Sequence, residues 1–244
     1  MKNIFLLIFV LFIQTNSSFS QIEINKKLNL ITHLSVNGIE KEIGGDSLLK
    51  NYLKIERISK SIFTAKKKSS IELVDVDSTQ IRKRNGILKL PIKGGVKTFA
   101  DKSPFDETKQ EYTYLGQILF LNVYLIGGLY WESLDYKFIS KLNGKEIQSF
   151  SAFPNISQDK KHIISIYADP YDTDVDLELF KIVNGIPKNI IRTSFKNWMP
   201  AVEKVKMFWN SDGCLYVPIL SPEEYWKPDG NLNDKFEYIR ISIL

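Results

Sequence analysis

Tyr136-Lys-Phe-Ile-Ser-Lys-Leu-Asn143-Gly144-Lys-Glu-Ile147 is followed, about forty residues on, by Leu177-Glu-Leu-Phe-Lys-Ile-Val-Asn184-Gly185-Ile-Pro-Lys-Asn-Ile190. Both stretches are rich in strand-forming residues. Both are interrupted by Asn-Gly, the dipeptide that most readily takes the positive φ angles of a two-residue hairpin turn. A recurrence of about forty residues with several strands per unit is how propeller blades read in sequence.

Further strands lie upstream. Ile71–Val76 alternates apolar and polar residues, Gly86–Ile92 runs to a Gly94-Gly95 turn, and Val96–Phe99 follows. Tyr112–Phe120 and Val123–Trp131 are strongly apolar, and such continuous runs imply strands covered on both faces. Gly127-Gly128 inside the second run predicts a bulge or the close approach of another backbone. The charged segment Asp101–Glu111, with Pro104, reads as a loop. Residues 112–150, 151–195 and 198–244 therefore make three blade-like units, with 71–100 as a candidate fourth. Closed propellers have about four to eight blades, so a small ring and an open stack of meanders both fit.

Residues 21–70 are less regular. Leu28–Val36 is strand-like and Asn37-Gly38 is another hairpin signal, while strand and helix compete over Asn51–Ile58. Ser59 suits the N-cap of a short helix through Lys66 with Ile62, Phe63 and Ala65 on its apolar side. The predicted fold is mostly β: a propeller-like stack of antiparallel meanders in one domain, 21–244. A small N-terminal α/β layer (21–70) precedes the blade-like repeats (71–244).

Residues 1–20 read as a signal peptide. Lys2 supplies the positive start, Ile4–Ile13 is unbroken apolar sequence, and Ser18 and Ser20 suit peptidase cleavage before Gln21. Ten apolar residues span about 15 Å as a helix, half of a bilayer core of about 30 Å. A periplasmic or secreted location follows, with no transmembrane segment after cleavage. Cys214 is the only cysteine, so no intramolecular disulfide forms and stability rests on core burial. The excess of five basic residues is mild. Lys66-Lys67-Lys68 and Arg82-Lys83-Arg84 lack the interleaved aromatics of a single-strand groove, which argues against a nucleic-acid partner.

Ser157-Gln158-Asp159-Lys160-Lys161, just before the strand-like residues from His162, resembles the Ser-Pro-Asp-Gly turn of WD40-like, TolB-type propellers. Ser157 and Asp159 match, Gln158 replaces the proline, and Lys161 stands near the usual glycine. Asn210-Ser211-Asp212-Gly213 before Cys214 is a second partial match. In such turns a serine or aspartate side chain accepts backbone N–H groups two residues on. The chain is also similar to secreted proteins of Bacteroidota over about 130 residues. That likeness is carried by Tyr114-Leu115-Gly116, Tyr130-Trp131-Glu132, Leu142–Glu146, Tyr225-Trp226 and Asp229–Asn233, and implies no particular activity.

Catalytic signatures are sparse. His33 and His162 have no companions at zinc-ligand spacing, and there is no Gly-x-Ser-x-Gly and no phosphate-binding glycine loop. Cys214, between a turn and apolar neighbours, reads as a buried small hydrophobe. Alternate aspartates at Asp172, Asp174 and Asp176 would suit a weak Ca²⁺ site, although the EF-hand glycine and terminal glutamate are missing. A solvated connection is the simpler account, and no resident cofactor is implied. Glu132, Asp135, Asp159, Asp212, Glu223 and Glu224 leave a glycosidase carboxylate pair open.

Aromatic residues are the better lead. Trp131 and Trp209 read as core. Tyr225 and Trp226, flanked by Pro222-Glu-Glu and Lys-Pro-Asp-Gly, together with Trp198 and Tyr171, are the candidate binding residues. The functional expectation is a non-catalytic binding protein with the 169–176 and 221–234 loops as contact surfaces, its partner an unknown protein or glycan. The alternatives are a carbohydrate-active hydrolase and a glycan-binding module.

Overall fold

The computed structural model describes residues 28–42, 48–76, 81–102, 105–169, 171, 175–201 and 206–244. The leader-like residues 1–20, Asp172 and Asp174 lie outside them. In chain order the first elements are β1 (Ile31–Val36), β2 (Ile39–Glu40), β3 (Leu53–Ile58), helix α1 (Lys60–Lys67) and β4 (Ser70–Ile71). Next come β5 (Ile87–Ile92), β6 (Gly95–Ala100), β7 (Gln110–Ile118), β8 (Val123–Tyr130), β9 (Leu134–Ser140) and β10 (Glu146–Phe150). The remainder are β11 (Asn155–Ile156), β12 (His162–Ala168), β13 (Val175–Val183) and β14 (Ile186–Phe195), then β15 (Met199–Pro200), β16 (Phe208–Asn210), β17 (Cys214–Leu220) and β18 (Glu237–Ile243).

Strands β7 to β10 form an up-and-down meander. A central sheet runs β11-β12-β13-β14-β1-β2, and a third runs β3-β18-β17-β16-β4 with β15 beside β17. All pairings are antiparallel, and none of these sheets closes on itself. The units 112–150, 151–195 and 198–244 thus fall on three different sheets. The segment 71–100 contributes only the hairpin β5–β6, because its first part pairs elsewhere.

The central sheet is apolar on both faces. Ile164, Ile166, Leu177, Leu179 and Ile191 join Leu215, Val217, Ile239 and Ile241 of the third sheet in one core. Ile163 and Phe180 join Leu125, Phe138 and Phe150 of the β7–β10 meander in another. Phe150 sits edge-on to both Phe138 (4.8 Å) and Phe180 (5.0 Å), the geometry aromatic quadrupoles favour. Each fully buried Leu, Ile or Phe contributes about 1.5–3 kcal/mol, so these two interfaces supply the adhesion that a chain with one cysteine needs.

Each outer sheet carries a cover. Leu88 and Leu90 of β5 pack on Tyr124, Ile126 and Ile139 of the meander. Phe63 of α1 packs on Phe208, Tyr216 and Tyr238 of the third sheet. The helix begins where the sequence predicts: Ser59 Oγ accepts the Ile62 N–H at 3.3 Å. Residues 53–58 resolve their ambiguity as strand β3, paired to β18.

Residues from 28 to 71 do not form a layer of their own. Strands β1 and β2 extend the central sheet, while β3 and β4 border the third. The two quoted Asn-Gly corners also differ. Asn184 and Gly185 are both left-handed (φ 52° and 76°) and make a two-residue hairpin in the central sheet. Asn143-Gly144 lies in the longer 141–145 connection at a sheet edge; there the glycine is left-handed and is held against Ile92 and Lys97. The likeness between the two stretches is one of composition, not of equivalent position.

Ile71–Val76 is strand-paired only at its ends. Ser70–Ile71 pairs with β16, the chain then crosses the stack edge, and Asp75 bridges to Gln117 of β7. Gly116 makes that crossing fit: at φ +141° it has no Cβ to strike Val74 Cγ1 (2.7 Å) or the Asp75 carbonyl oxygen (2.8 Å). Gly116→Ala is expected to cost about 2 kcal/mol from backbone strain and overpacking. Urea unfolding checks this, and an unchanged midpoint would contradict the crossing. At Gly127-Gly128 the predicted close approach is by side chains, Leu115 and the Tyr130–Asp135 pair, while the bulge lies opposite, between Tyr114 and Gly116.

Candidate functional site

After β17, Pro222 opens a single 3-10 turn whose end brings Tyr225 and Trp226 side by side with opposite fates. The loop beyond them is a small hairpin closed by Pro228-Asp229-Gly230. The Gly230 N–H donates to the Lys227 carbonyl (2.9 Å) and the Lys227 N–H to the Asn231 carbonyl (2.8 Å). The Asn231 N–H donates to Asp229 Oδ1 (3.0 Å). The Asn233 N–H donates to the Tyr225 carbonyl (2.9 Å), Asn233 Nδ2 to the Glu224 carbonyl (2.8 Å), and Lys227 pairs with Asp234 at 3.2 Å. Pro-Asp-Gly is a strong turn former, and a loop so tied holds its side chains in place.

Tyr225 turns inward and is 2% exposed, in the core between the central and third sheets. Trp226 turns outward, 40% exposed, and stands edge-on to Tyr225 at 5.7 Å. A second ring beside it is Tyr171, from the loop between β12 and β13, with ring centroids 5.9 Å apart and planes 32° apart. Tyr171 is 91% exposed, and its N–H donates to Asp169 Oδ1 at 2.8 Å, a local Asx turn. The two loops expected to carry contact residues are thus brought together in one aromatic surface.

Two of the four candidates leave that surface. Tyr225 is a core residue that supports Trp226 from beneath. Trp198 is fully buried against Phe195, its Nε1–H donating to the Leu28 carbonyl at 3.1 Å. Polar flanks in sequence did not decide either ring's direction; the turn geometry and the gap between sheets did. Trp209 is buried as expected, whereas Trp131, read as core, is half exposed.

Of the aspartates considered for Ca²⁺, Asp176 lies among the described residues and accepts the Ser194 hydroxyl at 2.6 Å. Among the described residues no group of three or more His, Cys, Asp or Glu side chains is placed to hold a metal ion. No helix among them is long and apolar enough to cross a membrane.

The turn chemistry of the two propeller-like motifs is present. The His162 N–H donates to Ser157 Oγ (2.9 Å) and the Lys161 N–H to Asp159 Oδ1 (3.0 Å). In the second motif the Cys214 N–H donates to Asp212 Oδ1 at 3.2 Å. Burial would raise both carboxyls, but the Ser157 hydroxyl and the Lys161 N–H outweigh it at Asp159, as Lys66, the Tyr216 hydroxyl and the Cys214 N–H do at Asp212, and both titrate below the ordinary aspartate value. Glu223 is likewise lowered, chiefly by the Ser221 hydroxyl. A glycosidase acid needs the opposite shift.

A polar network that sequence reasoning did not single out lies on the meander. Lys137 Nζ donates to Asp135 Oδ2 (2.5 Å) and also pairs with Glu146 (3.4 Å). The Tyr130 hydroxyl donates to Asp135 at 3.3 Å, and Ser149 Oγ donates there at 3.4 Å. Asp135-x-Lys137 places both on one strand face, a period-two signal open to inspection. Burial, aided by the Asp135 charge, pushes the Tyr130 hydroxyl up to about 12. The Lys137 ammonium is also raised: burial opposes its charge, but Asp135 more than offsets that. Near neutral pH both groups therefore remain protonated, which suits a structural tie rather than proton transfer.

Unfolded phenols titrate near 10, so Tyr130 contributes stability that is intact below about pH 10 and lost as pH climbs toward about 12. Tyr130→Phe is expected to flatten that part of the alkaline stability profile. Thermal midpoints measured over the pH series test it, and an equally steep fall would exclude the tyrosine as a cause.

A groove of about 810 Å³ shares no lining residue with the aromatic pair. It runs along Glu72–Val76, Leu119 and Phe120, with Lys160 Nζ 5.3 Å from the Phe120 ring centre. Among the described residues it converges no catalytic set. The chain matches no protein-family model, curated protein or solved structure.

Proposed function

We propose that the protein is a non-catalytic binding protein of the periplasm or cell exterior that captures a protein or peptide partner through Tyr171 and Trp226. The observation that carries this is the pairing of two exposed rings from loops distant in sequence, one on a hydrogen-bonded hairpin and braced from below by Tyr225. Solvent-facing aromatics on a rigid loop are poor choices for stability and good anchors for a partner. The location rests on the leader-like residues 1–20, and we read the face-to-face stack of meanders as propeller-like. The lowered carboxyls of Asp159, Asp212 and Glu223 weigh against these three as the general acid of the hydrolase alternative.

Affinity capture from the cell envelope tests the proposal. The native protein is expected to retain a partner that the Tyr171→Ala/Trp226→Ala variant loses at least tenfold, on the order of a hot-spot loss of 2 kcal/mol. Equal recovery by both proteins would refute it. Turnover of an oligosaccharide by the native protein would refute the non-catalytic part.

A further inference from the structure

We infer that the segment held by Tyr171 and Trp226 is a cationic peptide, with arginine or lysine side chains against the two rings. This rests on the binding function proposed above and names its partner class. The chain as a whole is basic, with 33 Lys and Arg against 28 Asp and Glu. The loops carrying the rings reverse that sign. Asp169 stands two residues from Tyr171, while Glu223, Glu224, Asp229 and Asp234 surround Trp226 in sequence with Lys227 as the one base in 221–234.

Lys227 is already engaged by Asp234. Glu223 and Glu224 are exposed, and among the described residues neither takes part in an ion pair. A cation approaching the rings therefore meets the negative faces of Trp and Tyr, and beside them the carboxylates of Glu223 and Glu224 in the turn that leads into Trp226. An anionic partner meets the same carboxylates as repulsion. The basic remainder of the surface turns a cationic segment away from other faces, so the field also orients the encounter.

The test is a random nonapeptide display library panned on the purified native protein, with Trp226→Ala and Tyr171→Ala proteins as parallel targets. Tyr171 is almost wholly exposed, so its removal leaves the fold intact even if the Trp226→Ala protein proves unstable. The expected result is enrichment of Lys and Arg over the input, absent on both substituted proteins. Binding of a selected peptide should weaken about three- to tenfold in Glu223→Gln/Glu224→Gln, the effect of two exposed charges, and weaken again in high salt. Enriched peptides that need Trp226 but are neutral or acidic would overturn the cationic assignment and leave the binding surface standing. Equal enrichment on the native and the two substituted proteins, or none on any of them together with no ring-dependent binding on an oligosaccharide array, would overturn both. Ring-dependent binding on an oligosaccharide array, with no peptide selected, would replace the peptide by a glycan.

Discussion

Trp198→Ala is expected to remove about 3–5 kcal/mol of folding stability, the range for emptying a fully buried tryptophan site. The ring fills the space between the central and third sheets, 4.9 Å from Phe195, and is walled by side chains of both. Two rigid sheets have little room to collapse into the vacated volume, which favours the upper half of that range. The indole N–H also ties down Leu28, the first described residue, whose side chain is itself fully buried. Trp198→Phe keeps most of the volume but orphans that buried carbonyl and is expected to cost about 1–3 kcal/mol. Urea unfolding followed by far-UV circular dichroism measures both. A loss below about 1 kcal/mol for the alanine variant, accompanied by weakened partner binding, would return Trp198 to the surface.

The second large effect separates two adjacent residues. Tyr225→Ala is expected to cost about 3 kcal/mol or more, because a buried aromatic leaves a cavity. Trp226→Ala and Tyr171→Ala, both exposed, should cost less than about 1 kcal/mol. Partner capture should show the reverse order: lost on removal of Trp226 or Tyr171, and retained by whatever fraction of Tyr225→Phe remains folded. Thermal midpoints and capture yields, read on the same preparations, decide it. Comparable destabilisation by Tyr225→Ala and Trp226→Ala would mean that both rings serve the core and that the aromatic surface is only packing.

Local chemistry was legible in the sequence wherever a short-range rule governs it. Ser59 caps α1, Asn37-Gly38 and Asn184-Gly185 turn their hairpins, and Ser157 and Asp159 lock the turn before β12, each through bonds that reach only a few residues. The division into three meanders was legible too, because each is a run of neighbouring strands. What escaped is decided by partners far along the chain. The pairing of β1 with β14 and of β3 with β18 leaves no mark in strand propensity, so the N-terminal stretch looked like a separate layer. The direction of each aromatic ring escaped for the same reason. Tyr225 and Trp226 have the same polar flanks, and the turn after β17 sends one into the core between two sheets and the other to solvent.

The ladders joining β1 to β14 and β3 to β18 bear on biosynthesis. Ile31 finds its place opposite Phe195, and Ile58 opposite Tyr238. A ribosome must therefore synthesise through residue 195 before β1 can join β14, and through residue 243 before β3 has a partner strand, and such long-range closure is slow. In the cytosol that interval leaves sticky strand borders open to aggregation. For a polypeptide threaded through a translocon the same delay is an advantage, since nothing premature has to be unravelled on the way out.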